Sequence, residues 1–161
     1  MMSRAARRVE GESRDPVPAP PAVSRAPSLR RPRPRRRLRV LIADDTTDAR
    51  DLYAEYLGMQ GFIVMTARDG AEAIQVALEH LPDVIVMDLA MPQFDGITAT
   101  RRIKADPRAA RAQVLLLTGY PKIAVQHEAR DAGVELILTK PCLAEDLERH
   151  IYQLRGTSEH R

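Results

Sequence analysis

Five short apolar runs, each followed by a segment whose apolar residues recur at helical spacing, decide what this chain can fold into. The runs lie at 38–43, 62–66, 83–87, 113–117 and 136–138. Ala49, Leu52, Tyr53, Tyr56 and Leu57 stripe the first intervening segment, and Gly58 and Gly61 bracket its end. Ala71, Ile74, Ala77, Leu78 and Leu81 stripe the second, which Pro82 stops. Ile97, Thr100 and Ile103 line a third, ending near Pro107. The fourth, 123–132, is poor in large apolar residues and ends at Gly133. Leu143, Leu147, His150, Ile151 and Leu154 stripe the last. Strands that are apolar almost throughout belong in a sheet covered on both faces. Alternation with amphipathic helices, joined by right-handed crossovers, predicts a five-stranded parallel α/β sandwich, doubly wound, with helices on both faces. The expected strand order is the flavodoxin-like 2-1-3-4-5.

Charge is distributed unevenly. Residues 1–37 hold 11 Arg and 3 acids, a balance of 11 − 3 = +8, whereas 38–161 hold 14 Lys+Arg and 19 acids, or 14 − 19 = −5. Seven of the 12 prolines also fall in 1–37. Such a segment buries too little apolar surface to offset its ordering entropy, so it is expected to be a disordered Arg/Pro-rich tail. It reads first as a solvated linker. A second reading is nonspecific attraction to nucleic acid or anionic lipid, although no aromatic residue is available there to stack on bases. A third is a polyproline docking peptide at 18–21. No apolar run approaches the ~18 residues of a membrane-spanning helix, and the run after the arginines is too short for a signal-peptide core. Cys142 is the single cysteine, which excludes an internal disulfide and a cysteine-rich zinc site. A cytoplasmic location is expected.

Polar residues at the strand ends carry the chemistry. Asp44 and Asp45 follow the first strand, Asp88 the third, Thr118 the fourth, and Lys140 comes soon after the fifth. In a parallel sheet these ends point the same way, and ligands bind outside them at the topological switch point. One shallow pocket would thus gather three carboxylates, a hydroxyl and an ammonium. Three close carboxylates resist joint ionisation, and a divalent cation resolves the conflict. Hard oxygen donors favour Mg²⁺, with Mn²⁺ possible, over zinc. Thr118 and Lys140 suit the oxygens of a phosphoryl group in transfer. A carboxylate can be the nucleophile, and Asp88, the lone acid on the central strand, is the best candidate.

Taken in order, Asp44–Asp45, the run Met87-Asp88-Leu89-Ala90-Met91-Pro92 with Asp95-Gly96, Leu117-Thr118-Gly119 and Thr139-Lys140-Pro141 resemble a response-regulator receiver domain of the single-domain, CheY-like type. The resemblance spans about Leu38 to Leu154 and places a receiver domain at 38–156, with a short C-terminal tail at 157–161. It implies that Asp88 accepts a phosphoryl group from a phosphohistidine of a sensor histidine kinase or histidine phosphotransfer protein. It implies that Asp45, Asp88 and the Ala90 carbonyl hold Mg²⁺, with Asp44 acting largely through water. Thr118 and Lys140 would contact the phosphoryl oxygens, and the Lys140–Pro141 bond would be cis. Ala90 and Tyr120 would flank the phosphoryl group and tune its lifetime. The domain would signal rather than catalyse, beyond slow self-dephosphorylation at most.

Each residue also has a plain structural reading. Asp44, Asp45 or Thr46 could cap the first helix, Asp95-Gly96 starts a helix, and Cys142 reads as a small buried apolar residue. The family commonly has an aromatic where this chain has Ile137, which puts its threonine–aromatic switch in doubt. Only residues 156–161 follow the last helix, so output is expected through protein contact or onward phosphotransfer. A homodimer through the face of the fourth helix, fifth strand and fifth helix is compatible with this. Two other classes compete. A haloacid-dehalogenase-type phosphatase needs Asp-x-Asp after the first strand, where Thr46 stands at the second position. A tail-driven nucleic-acid binder is disfavoured by the acidic body.

Overall fold

The computed structural model describes residues 36–158. The elements are β1 (Arg39–Ala43), α1 (Thr47–Met59), β2 (Ile63–Ala67), α2 (Gly70–His80), β3 (Val84–Asp88), α3 (Gly96–Ala105), β4 (Gln113–Thr118), α4 (Ile123–Ala132), β5 (Leu136–Thr139) and α5 (Ala144–Ser158). The sheet order is β2-β1-β3-β4-β5, and every pairing is parallel. This is the doubly wound order expected from the sequence. The expectation of a disordered tail at 1–37 lies outside the described residues for 1–35. Of the arginine run, Arg36 pairs with Asp83, and Arg37 Nε donates to the Gly61 carbonyl at 2.7 Å.

Side chains of a strand alternate between faces, and here both faces are apolar. Leu41, Ala43, Ile85, Met87, Val114 and Leu116 point to one side, where they meet Ala73, Ala77, Ile97, Ile103 and Ala129 of α2, α3 and α4. Val40, Ile42, Val84, Val86, Leu115 and Leu117 point to the other, against Tyr53 and Leu57 of α1 and Leu147, Ile151 and Leu154 of α5. That division explains why the strands lack polar alternation. It also leaves just the strand ends for polar side chains.

Four stripe positions, three leucines and Ala71, differ from the sequence expectation. Leu52 is 60% exposed, Leu143 67% and Leu81 42%. On α1 the buried arc runs through Tyr53 and Leu57, four residues apart, and a residue one position back lies about 100° around the helix. Leu81 is the left-handed cap of α2 rather than part of it, at φ +49°. Leu143 precedes α5. In α2 the buried stripe is Ala73 and Ala77, with Ala71 facing out. Strand ends shift as well. β3, β4 and β5 run on through Asp88, Thr118 and Thr139, because the backbone ladder continues there: Asp88 lies opposite Leu117 and Thr118 opposite Thr139. β2 starts at Ile63, and Phe62 packs instead on the Tyr152 ring, 5.3 Å between centroids.

Two glycines show how tightly α2 and α3 approach the β3–α3 loop. A Cβ on Gly70 would lie 2.0 Å from the Phe94 carbonyl oxygen, and one on Gly96 would lie 2.3 Å from the Asp88 carbonyl oxygen. Gly58, near the end of α1, has open space around it. Opposite effects of the same substitution are therefore expected in urea unfolding. Gly70→Ala should lose about 1–3 kcal/mol through overpacking. Gly58→Ala should gain about 0.4–1 kcal/mol by restricting the unfolded chain.

Candidate functional site

The parallel registers bring the carboxyl ends of β1, β3, β4 and β5 to one rim. Ala43 lies opposite Met87, so Asp44 and Asp88, each one residue further on, stand side by side. Asp44, Asp45 and Asp88 each offer a carboxylate oxygen, all within 4.8 Å of one another. Asp44 and Asp88 are buried, at 1% and 6% exposure, and Thr118 is at 2%. Asp45 is exposed. All five polar residues picked out from the strand ends thus come together on this rim.

Lys140 binds the two buried acids to each other. Its Nζ donates to Asp44 Oδ2 at 3.0 Å and lies 3.0 Å from Asp88 Oδ1. The second Asp44 oxygen, Oδ1, accepts from the Thr46 amide at 2.9 Å. Asp44 therefore serves both the start of α1 and the site. The bond goes to the cap residue's own amide, so Asp44 makes a turn ahead of α1 and does not cap the helix as expected; the N-cap is Thr46. Thr46 itself makes no side-chain cap. The Lys140 amide donates to the Thr118 carbonyl at 2.8 Å, which stitches β5 to β4 at the rim. The Lys140–Pro141 bond is cis.

The electrostatics follow from crowding. Burial raises the Asp88 carboxyl above the usual carboxylate range; the Lys140 hydrogen bond and charge pull it back, and the charges of Asp44 and Asp45 add to the rise. For Lys140, burial pulls the ammonium down, but hydrogen bonds to Asp88 and Asp44 and their charges outweigh it, and the net shift is upward. The amine is held charged. One ammonium among three carboxylates leaves two negative charges uncompensated when all ionise. A divalent cation matches that deficit, and the donors are all hard oxygens. The residues present fit Mg²⁺.

Beside Asp88 opens a shallow cleft of about 380 Å³, lined by Ala90, Thr118, Tyr120, Lys122 and Val125 among others. Tyr120 is 79% exposed, and its amide donates to Thr118 Oγ1 at 3.1 Å. Lys122 also lines this cleft, a cation that strand-end polarity does not pick out because it sits at the start of α4. Helical spacing alone makes Tyr53 a core residue. It is buried, yet its hydroxyl donates to the Cys142 carbonyl at 2.7 Å. Nothing in the sequence pairs positions 89 residues apart. Cys142 is partly buried against the α1–α5 side of the core, and burial pushes its thiol up, as suits an apolar role. Asp95 caps α3, accepting from the Ile97 and Thr98 amides at 2.9 and 2.8 Å. Ile137 packs half-buried against the other core layer.

Comparison with known proteins agrees with this geometry. The family model described as "Response regulator receiver domain" matches residues 40–152. The transcriptional regulatory protein PdtaR of Mycobacterium tuberculosis is 42% identical over 110 residues, covering 68% of this chain and 52% of PdtaR. The chemotaxis protein CheY of Bacillus subtilis is 34% identical over 108 residues, covering 66% of this chain and 88% of CheY. Among solved structures, chemotaxis protein CheY4 of Vibrio cholerae superposes with a TM-score of 0.70 at 27% identity, covering 73% of this chain and 98% of CheY4. PdtaR and the regulator RpaA of Synechocystis, of which 45% is covered, show that the chain spans about half the length of some relatives it matches. Receiver domains bind Mg²⁺ at an acidic pocket of the kind formed here by Asp44, Asp45 and Asp88. The haloacid-dehalogenase reading gives way to these matches, and the chain belongs to the response-regulator receiver family of two-component signalling proteins.

Proposed function

We propose that Asp88 is the phosphoacceptor, taking a phosphoryl group from the phosphohistidine of a sensor histidine kinase or a histidine phosphotransfer protein. The observation that supports this most is the single amine of Lys140 shared between Asp44 and Asp88 at 3.0 Å each, on the rim that also carries Thr118. A carboxylate oxygen of Asp88 forms the new P–O bond as the donor P–N bond breaks. Lys140 is a compact positive charge for one phosphoryl oxygen, and Thr118 offers a hydroxyl to another. Asp44, Asp45, Asp88 and the Ala90 carbonyl are the residues to hold Mg²⁺. When bound, that ion supplies charge neutralisation for the incoming phosphoryl oxygens.

The site lies in a receiver domain at 38–156, between a 1–37 tail and a short segment at 157–161. The domain acts as a signalling module, without a turnover reaction of its own beyond slow self-dephosphorylation. Its output is contact with a downstream protein or onward phosphotransfer, with homodimerisation through α4, β5 and α5 as one such contact. No helix among the described residues is long and apolar enough to cross a membrane, and cytoplasmic action follows from the proposed partners. Nucleic acid is not a proposed ligand of the acidic body. Ala90 brings no polar side chain to orient a water, and Tyr120 borders the same cleft as Asp88, so a long-lived aspartyl phosphate is proposed.

Incubation with Mg²⁺ and phosphoramidate, followed by intact-mass measurement, should show the gain of one phosphoryl group. Asp88→Asn should show none, and excess EDTA should abolish the gain in the parent chain. Phosphorylation persisting in Asp88→Asn would reject the assignment. Lys140→Gln should slow phosphorylation by about 10²–10³-fold, the scale of losing one preorganised charge-stabilising donor. Tyr120→Ala should lose the phosphoryl group faster than the parent, measured by mass over time; an equal or slower loss removes the shielding role.

A further inference from the structure

We infer that Tyr53 is a positioning residue for the phosphoryl site, holding the Lys140 ammonium in place through the carbonyl of Cys142; this rests on the phosphoacceptor reading above. Tyr53 sits on the inner face of α1, at 7% exposure, within the core layer between α1 and α5. A tyrosine so placed needs a partner for its hydroxyl. It finds one in the Cys142 carbonyl, 2.7 Å away and two residues beyond Lys140. On the other side, the Lys140 amide donates to the Thr118 carbonyl at 2.8 Å. Pro141, between them, has no N–H to contribute. The segment that carries the lysine is therefore gripped at one end by β4 and at the other by α1.

This grip matters because a lysine side chain is long and costs rotamer entropy to order. Its Nζ has to meet two carboxylates at once, each at 3.0 Å. Fixing the backbone on both sides limits where that stem can start. The same helix that holds Cys142 begins directly after the Asp44–Asp45 pair, and Arg50 on it donates to the Asp44 carbonyl at 2.8 Å. So α1 sets the carboxylates at its start and, further along, the segment that presents the amine. Phosphoryl transfer rests on positioning and charge, and a looser amine weakens both.

Tyr56, on the same helix, supplies an internal control. Its hydroxyl donates to Glu148 Oε2 on α5 at 2.9 Å, which ties α1 to α5 without touching the lysine segment. In the full chain labelled with ¹³C, the two Hε protons of Lys140 should be inequivalent, as for an immobilised amine. Tyr53→Phe keeps the ring and removes only the hydroxyl. It should collapse that inequivalence and slow phosphorylation by phosphoramidate about three- to tenfold, the scale of one hydrogen bond. Tyr56→Phe should leave both readouts at the parent values. Retention of the split Lys140 signal in Tyr53→Phe, an unchanged rate, or equal slowing in both variants would each overturn the positioning role. A parent chain that shows the split signal but takes no phosphoryl group would instead reject the phosphoacceptor reading and leave the lysine measurement standing.

Discussion

The bridge from Lys140 to Asp44 and Asp88 is the interaction on which this structure turns. Two buried carboxylates side by side repel, and burial alone raises the Asp88 carboxyl. The amine 3.0 Å from each offsets part of that cost. A buried ion pair stabilises little by itself once desolvation is counted. What it secures is arrangement: acids from the ends of β1 and β3 meet one nitrogen carried past β5, and the surplus negative charge remains available to a cation. Apolar residues in these places would cost the fold little, but they would leave no chemistry at this rim.

The scaffold makes the convergence possible. Strands with two apolar faces lock into the centre of the molecule, and their registers fix where each one ends. β3, buried along its whole length, delivers Asp88 at the middle of the rim. Small residues let the helices come close to it. The Gly96 Cα sits where any Cβ would strike the Asp88 carbonyl, and Ala73, Ala77 and Ala99 fill the layer behind. By contrast α4 is pinned by little: its fully buried residues are Ala129 and Ala132, while Ile123 is 74% exposed. The helix that follows Thr118 and the Tyr120 cleft thus has a small apolar anchor. Ile137 of β5 packs half-buried at the edge of the same core layer.

Much of this was legible in the residue order because the two controlling signals are local. Apolar runs of three to six residues between helical stripes define a parallel sandwich, and a polar residue that ends an apolar strand stands out against it. Asp44, Asp88, Thr118 and Lys140 were visible for that reason, and the parallel topology alone puts such residues on one rim. Stripe membership was less legible. Leu52, Leu81 and Leu143 continue the apolar spacing yet face solvent, since spacing indicates a face without saying how wide the buried arc is or where the helix stops.

Sequence by itself determined the parallel layers, the rim and the kinds of atom that meet there, because periodicity and strand-end polarity are properties of short stretches; the strand order followed from the family resemblance. Only the tertiary structure decided which acid is buried and which exposed, that one amine serves two carboxylates, and that a tyrosine on α1 holds the carbonyl two residues past the lysine. These contacts join positions far apart in the chain, 89 residues for Tyr53 and Cys142 and 96 for Asp44 and Lys140. Their geometry is set by how α1, β5 and α5 pack, and no local pattern encodes that packing.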